Sequence, residues 1–174
     1  MKRSDRVGSR GDLALLCNEV GLWRNAVEVG TDCGWYAAEF LSRWCGERLW
    51  CVDTWQPYPG MPYDRSGDMA MAVHNLAPYR QRVKLYRADS VEAAKLCNAP
   101  APMQFIYIDG AHDYASVKRD LEAWWPRLSR PGIFAGHDID IPDVLRAVTE
   151  FAAKRDLQVV RTNDIYSPSW YAVV

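Results

Sequence analysis

Four acidic residues stand at or just past the ends of apolar runs: Asp53 after LWCV, Asp89 after VKLYRA, Asp109 after FIYI and Asp138 after IFAGH. His112 follows Asp109 by three positions, and His137 directly precedes Asp138. A carboxylate accepts hydrogen bonds from ligand hydroxyl and amino groups, and an imidazole titrates near neutrality. One acidic strand end is ordinary polar punctuation. Four of them on one edge of a sheet would line a pocket.

The turn EVGTDCG adds a second kind of site. Glu28 sits on the first strand, Gly30 begins the turn and Gly34 opens the following helix. Glycines there let backbone and helix N–H groups approach a ligand, or simply permit positive φ in a tight turn. Asp32 stands where the dinucleotide fingerprint G-x-G-x-x-G needs its second glycine, and a carboxylate beside a pyrophosphate is repulsive. NAD and FAD are therefore poor candidates. Asp53, 23 residues after Gly30, has the placement of an acid that accepts from ribose hydroxyls. Asp89 with Ser90 is placed to read an adenine amino group. An adenosine site without a phosphate cradle suits S-adenosylmethionine (SAM), whose cationic sulfonium tolerates acidic neighbours.

These residues need strands that all end on one side. Short apolar runs at 26–29, 49–52, 83–86, 105–108 and 132–135 read as strands, with helices at 13–22, 35–44, 69–76, 91–97, 114–128 and 142–155. Asp12 is the expected N-cap of the first helix. Alternation of this kind predicts an α/β fold: a Rossmann-like doubly wound sheet, mostly parallel, with helices on both faces. Runs at 157–160 and 170–174 lack a helix between them, so the last strand is expected to be antiparallel. Ligands bind outside the carboxyl ends of such sheets. Residues 54–68 (TWQPYPGMPYDRSGD) are the most loop-like stretch, either a lid over an acceptor or a surface connection.

The 174 residues suit one domain spanning 1–174, and 49% hydrophobic with 25% charged residues is ordinary for a globule. A net charge of -1 gives no reason to expect a nucleic-acid partner, and no apolar run is long enough to span a membrane. The basic MKRSDR start has no apolar segment behind it, so no secretory signal is expected. Five cysteines without a C-x-x-C pair read as reduced thiols of a cytoplasmic protein.

Together, VEVGT-x-x-G, VDTW, IDGAHDY and GHD resemble the class I SAM-dependent methyltransferases over Ala26 to Asp138. The resemblance implies that Glu28, Gly30, Thr31 and Gly34 hold the methionine part of SAM. Asp53 and Thr54 would take the ribose, Asp89 and Ser90 the adenine, and Asp109 would join the cofactor site. Trp55 would cover the adenine face or pack beneath the loop. The spacing from Asp109 to His137 and Asp138 is similar to that of metal-dependent catechol and macrolide-sugar O-methyltransferases. Asp109, His137 and Asp138 would then hold a divalent cation, Mg²⁺ or Mn²⁺, although those families usually carry a carboxylate where His137 stands. His112 falls where such enzymes place the general base; otherwise it caps the helix near Tyr114. His74 reads as a surface residue. The expected reaction is O-methylation of a small molecule or sugar. The alternatives are a metal-independent methyltransferase and a non-catalytic SAM- or nucleoside-binding module. Without a substrate domain, acceptor recognition would use an open surface or a second copy in a homo-oligomer.

Overall fold

The structure, a computed structural model, describes residues 7–57, 64–96 and 102–174. Cys97 and the middle of the 54–68 loop lie outside the described residues.

Seven strands form one sheet: β1 Asn25–Val29, β2 Arg48–Asp53, β3 Val83–Arg87, β4 Met103–Ile108, β5 Leu128–Gly136, β6 Val160–Arg161 and β7 Trp170–Val173, in the order β3-β2-β1-β4-β5-β7-β6. The first five are parallel; β7 inserts antiparallel between β5 and β6. Among the described residues six α-helices accompany them: α1 Asp12–Glu19, α2 Trp35–Arg43, α3 Asp68–Leu76, α4 Ser90–Leu96, α5 Tyr114–Trp124 and α6 Pro142–Ala153. This is the α/β Rossmann-like architecture that the alternating apolar runs predict.

Both faces of the sheet are covered, so β1 is buried along its whole length. Alternate residues feed two separate cores. Ala26, Phe105 and Tyr107 pack with α1 and α2 residues such as Leu13 and Phe40, whereas Val27, Val29, Ile106 and Ile108 pack with Leu121, Trp124 and Phe151 of α5 and α6. The chain leaves β1 toward β2 and β3, then returns to β4 on the other side. The C-terminal ends of β1 and β4 therefore flank the switch point, where a crevice opens.

Several boundaries differ from the sequence reading. Gly11, not Asp12, is the N-cap of α1; the Asp12 carboxylate turns back and accepts from the Gly8 and Ser9 amides at 3.0 and 2.9 Å. Helix α5 stops at Trp124 because Pro126 forces a 3-10 turn over Trp125–Arg127. Strand β5 starts at Leu128, four residues early, because Met103 pairs with Leu128 and Gly132 exchanges two hydrogen bonds with Val174. Strand β6 keeps only Val160 of the expected run 157–160 and adds Arg161. Among the described residues, Cys17, Cys33, Cys45 and Cys51 are free thiols, and no helix is long and apolar enough to cross a membrane.

Candidate active site at the carboxyl edge of the sheet

A cavity of about 600 Å³ opens at the ends of β1 to β4. Of the residues singled out from the sequence, Gly30, Asp53, Thr54, Asp89, Ser90, Asp109 and His112 line it. Glu28, Thr31, Gly34, Trp55, His137 and Asp138 do not.

Gly30 joins the two halves of the crevice. Its φ is +89°, and a β-carbon there would lie 1.9 Å from the Asp109 carbonyl oxygen. Only glycine lets the ends of β1 and β4 approach this closely. Gly34 has φ +77° and starts α2, but the space at its Cα faces Leu76 of α3 rather than the cavity. Glu28 lies fully inside the sheet with Oε2 lacking a hydrogen-bond partner. Burial, the adjacent Asp109 charge adding to it, raises its pKa well above the ordinary carboxylate value. Thr31 is buried beside it. Trp55 is buried, its indole N–H donating to the Asp32 carbonyl at 2.8 Å. It faces a second, separate hollow beside Gln56, Arg65 and Met69 rather than the cavity.

Asp53 is saturated. Its Oδ1 accepts from the Trp55 amide at 2.7 Å and Arg65 Nη1 at 3.1 Å; its Oδ2 accepts from the Asp32 amide at 2.9 Å and Arg65 Nη2 at 3.1 Å. Four donors fill a carboxylate's four lone pairs. Arg65, with its side chain 7% exposed, also pairs through Nε with Asp68 at 2.8 Å and through Nη2 with Asp32 at 3.3 Å. The sequence reading passed over Arg65. The available signal was charge balance, since an edge rich in acids needs a cation among them.

Asp89 is also engaged. Its Oδ1 accepts from the Val91 amide at 2.9 Å at the start of α4, and its Oδ2 pairs with Arg119 at 3.3 Å. Ser90 Oγ accepts from the Trp124 indole at 2.9 Å. Behind it, Asp120 of α5 lines the cavity yet is only 3% exposed. Burial pushes its pKa up to about 6.

Four titratable groups meet at the other end. His112 Nε2 lies 3.0 Å from Asp138 Oδ2 and 3.7 Å from Asp109 Oδ1. His137 Nδ1 lies 3.2 and 3.6 Å from the same two oxygens. Asp113 is the N-cap of α5, accepting from the Ser116 amide at 3.0 Å, so His112 does not cap it. His112 is free to turn toward the carboxylates. The neighbouring Asp109 carboxylate, with that of Asp138, raises its pKa against the effect of partial burial. Burial disfavours charge on His137, but its bonds to Asp109 and Asp138 outweigh that and push its pKa up to about 9. Burial alone would raise the pKa of Asp109 and Asp138; the two histidines hold both below the usual value.

Arg10, which precedes α1, completes this cluster. Its Nη1 lies 3.4 Å from His137 Nε2, and its guanidinium sits 5.1 Å from the centre of the Tyr36 ring. A guanidinium only donates, so this contact needs an unprotonated Nε2 and places the ring proton on Nδ1, facing the carboxylates. That opposes the doubly protonated ring the carboxylates favour, and the neutral Nδ1–H form is the one that satisfies every contact. His74 is exposed on α3, away from the cavity.

The donor set fits a divalent cation. Ligand atoms of Asp109, His137 and Asp138 all lie within 4.8 Å of one another. Six-coordinate donors at ~2.1 Å from a metal stand about 3 Å apart, close to the 3.6 and 3.2 Å separations of His137 Nδ1 from Asp109 Oδ1 and Asp138 Oδ2. Coordination through His137 Nδ1 would require the proton there to leave and the Arg10 contact to be released.

A family model described as a methyltransferase domain matches residues 27–139, from within β1 to just past Asp138. A relative from Sinorhizobium fredii, the uncharacterized protein y4gI, is 30% identical over 138 residues, covering 70% of this chain. This chain spans 14% of that relative's length. Among solved structures, an O-methyltransferase from Bacillus cereus in complex with SAH has a TM-score of 0.71 at 16% identity, covering 95% of this chain and 80% of its own. The O-methyltransferase TomG from Streptomyces achromogenes, in complex with SAM, has a TM-score of 0.69 at 15% identity, covering 95% and 79%. At these identities the likeness establishes the shared fold.

Proposed function

We infer the reaction from one premise: the chain belongs to the methyltransferase-domain family, whose model covers its cavity-forming half. We propose that it is a SAM-dependent methyltransferase acting on a hydroxyl of a small molecule or sugar, with His112 as general base. The observation that carries this reading is His112, held 3.0 Å from Asp138 at the rim of the cavity that ends on Asp109.

SAM, when bound, supplies an electrophilic methyl carbon on a sulfonium that departs as the neutral thioether SAH. The cavity's volume falls within the ~300–1,000 Å³ usual for small-ligand sites, and its acidic wall with Asp32 in the first turn tolerates a cation but not a pyrophosphate. In this reading Asp53 and Thr54 take the ribose, with Arg65 giving way, and the Asp89–Ser90 corner takes the base. Gly30 and Asp109 border the methionine tail; Glu28, Thr31, Gly34 and Trp55 support the wall from behind.

His112 presents Nε2 to the carboxylates, which leaves Nδ1 for the acceptor. As the acceptor oxygen bonds to the methyl carbon and the C–S pair passes to sulfur, the hydroxyl proton moves to His112. Asp138 orients the ring and stabilises the imidazolium, as a carboxylate does for any paired histidine base. Proton removal of this kind contributes ~10²–10⁴-fold in rate. A divalent cation at Asp109, His137 and Asp138 would polarise the acceptor hydroxyl when bound. The Arg10 contact on His137 favours the same chemistry without a cation.

The test is an SAH-release assay over a panel of hydroxylated small molecules and sugars, comparing wild type with His112→Ala. The reading predicts at least a ~100-fold loss of turnover with SAH affinity nearly unchanged. SAH binding without transfer to any acceptor would favour the non-catalytic binding module instead.

A further inference from the structure

Arg65 and Arg119 line the cavity, and both are already paired: Arg65 with Asp53, Asp68 and Asp32, Arg119 with Asp89. Arg10 differs. Among the described residues no carboxylate pairs with it, and its side chain makes one hydrogen bond, the 3.4 Å contact from Nη1 to His137 Nε2. The Nε–Nη2 edge, a fork that meets a carboxylate with two parallel N–H bonds, is left without an acceptor. Arg10 is half-buried, and both nitrogens of that edge keep accessible surface.

The residue that carries this fork is fastened on two sides. The Arg10 N–H donates to Asp164 Oδ2 at 3.1 Å, an oxygen that also accepts from Thr162 Oγ1 at 2.8 Å. The Asn163 N–H donates to the Gly8 carbonyl at 2.9 Å, and the Tyr36 hydroxyl donates to the Arg10 carbonyl at 3.4 Å. The segment before α1 is thereby tied to the β6–β7 connection and to α2, so little ordering is left to oppose binding. From Arg10 the contacts run to His137 at 3.4 Å, on to Asp138 at 3.2 Å and on to His112 at 3.0 Å. The guanidinium and the proposed base therefore lie within the length of one small acceptor.

We propose that Arg10 binds a carboxylate on the acceptor, so that the hydroxyl to be methylated belongs to a hydroxy acid. This rests on the hydroxyl-methylating reading above and narrows its acceptor. Asp109 and Asp138 repel an anion, and a cation with no counterion of its own is what lets one approach them. A planar, singly charged carboxylate fills the Nε–Nη2 fork while Nη1 keeps its contact with His137. A dianionic phosphate would meet twice the repulsion from the two aspartates. The primary amide of the same acceptor has one oxygen for the fork and turns N–H groups toward the other donor, which leaves that donor unpaired.

The test is SAH release from the 174-residue chain with hydroxybenzoates and hexuronates, each beside its own primary amide. Wild type is expected to favour the acids in kcat/KM by ~10-fold or more. In Arg10→Gln that ratio should fall below about threefold, and Arg10→Lys, which keeps the charge but loses the fork, should lie between. The lysine variant serves alone if circular dichroism shows the glutamine variant unfolded. A purely structural role through His137 would slow acids and amides alike and leave the ratio untouched, so an unchanged ratio in a folded variant overturns the assignment. So do equal rates for acids and amides in wild type, or glucose 6-phosphate preferred to glucuronate. Methylation of neutral hydroxyl compounds with the acids untouched overturns the carboxylate alone. If the chain binds SAH and methylates no hydroxyl of either kind, the parent reading fails with it.

Discussion

Arg65→Met removes the guanidinium that occupies half the lone pairs of Asp53 while keeping most of the side chain's apolar length. Both partners are buried, with side chains 7% and 5% exposed, so the pair is weakly screened. Breaking such a pair costs ~3–5 kcal/mol. Asp53 keeps two backbone donors, from Asp32 and Trp55. The loss should therefore sit at the lower end, about 3 kcal/mol, and lower Tm by roughly 6–12 °C at this chain length. Cofactor affinity should move the other way. A ribose can reach Asp53 only by displacing two charge-assisted bonds. Its own hydroxyls restore bonds of the same class, so the net cost is about one ordinary hydrogen bond, roughly tenfold in Kd. Thermal unfolding and SAH titration on the same preparation would read both effects. A less stable variant that binds SAH about tenfold more tightly is the expected outcome. Weaker SAH binding would mean that Arg65 holds the ligand, and unchanged binding that the ribose does not use Asp53; either refutes the displacement argument.

Gly30→Ala should lose on the order of 3 kcal/mol or more, since it combines positive-φ strain with a clash against the Asp109 carbonyl; denaturation at wild-type stability would contradict that packing. Asp120 gives a pH signature. Its folded pKa of about 6 exceeds the ordinary 3.8, so the native state binds the proton more tightly and loses this contribution as pH rises from about 4 to 6. The stability of Asp120→Asn relative to wild type should grow by about 2–3 kcal/mol between pH 4 and 7, and a constant difference in urea titrations would sink the claim. Arg10→Ala frees His137 Nε2 to carry the proton, so Mn²⁺ affinity should rise about fivefold; equal affinities by calorimetry would rule out Arg10 as the group that sets the tautomer.

The strand ends were legible because a buried parallel strand is a continuous apolar run, and an acid closing it has nowhere to go but the carboxyl edge. Asp53, Asp109 and Asp138 could be placed this way, whereas Asp89 follows the half-buried edge strand VKLYR, which is not a continuous apolar run. The side chains that neutralise or complete that edge were not. Arg10 reaches His137 across 127 residues and Arg65 reaches Asp53 across 12, contacts that no local period encodes. Asp120 lies in a helix whose polar positions look alike in sequence; only the packing of α4 against α5 shows which one is buried. Cap roles were legible to within a residue, as Gly11 beside Asp12 and Asp113 beside His112 illustrate. The early start of β5 depends on pairing with the last residue of the chain, which the run 132–135 does not reveal.

Titrating SAH into the 174-residue chain by calorimetry tests the central claim most directly. An adenosyl-binding edge at the switch point predicts one site per chain with Kd at or below ~100 μM, about −5.5 kcal/mol. Heats indistinguishable from dilution at millimolar SAH would contradict it.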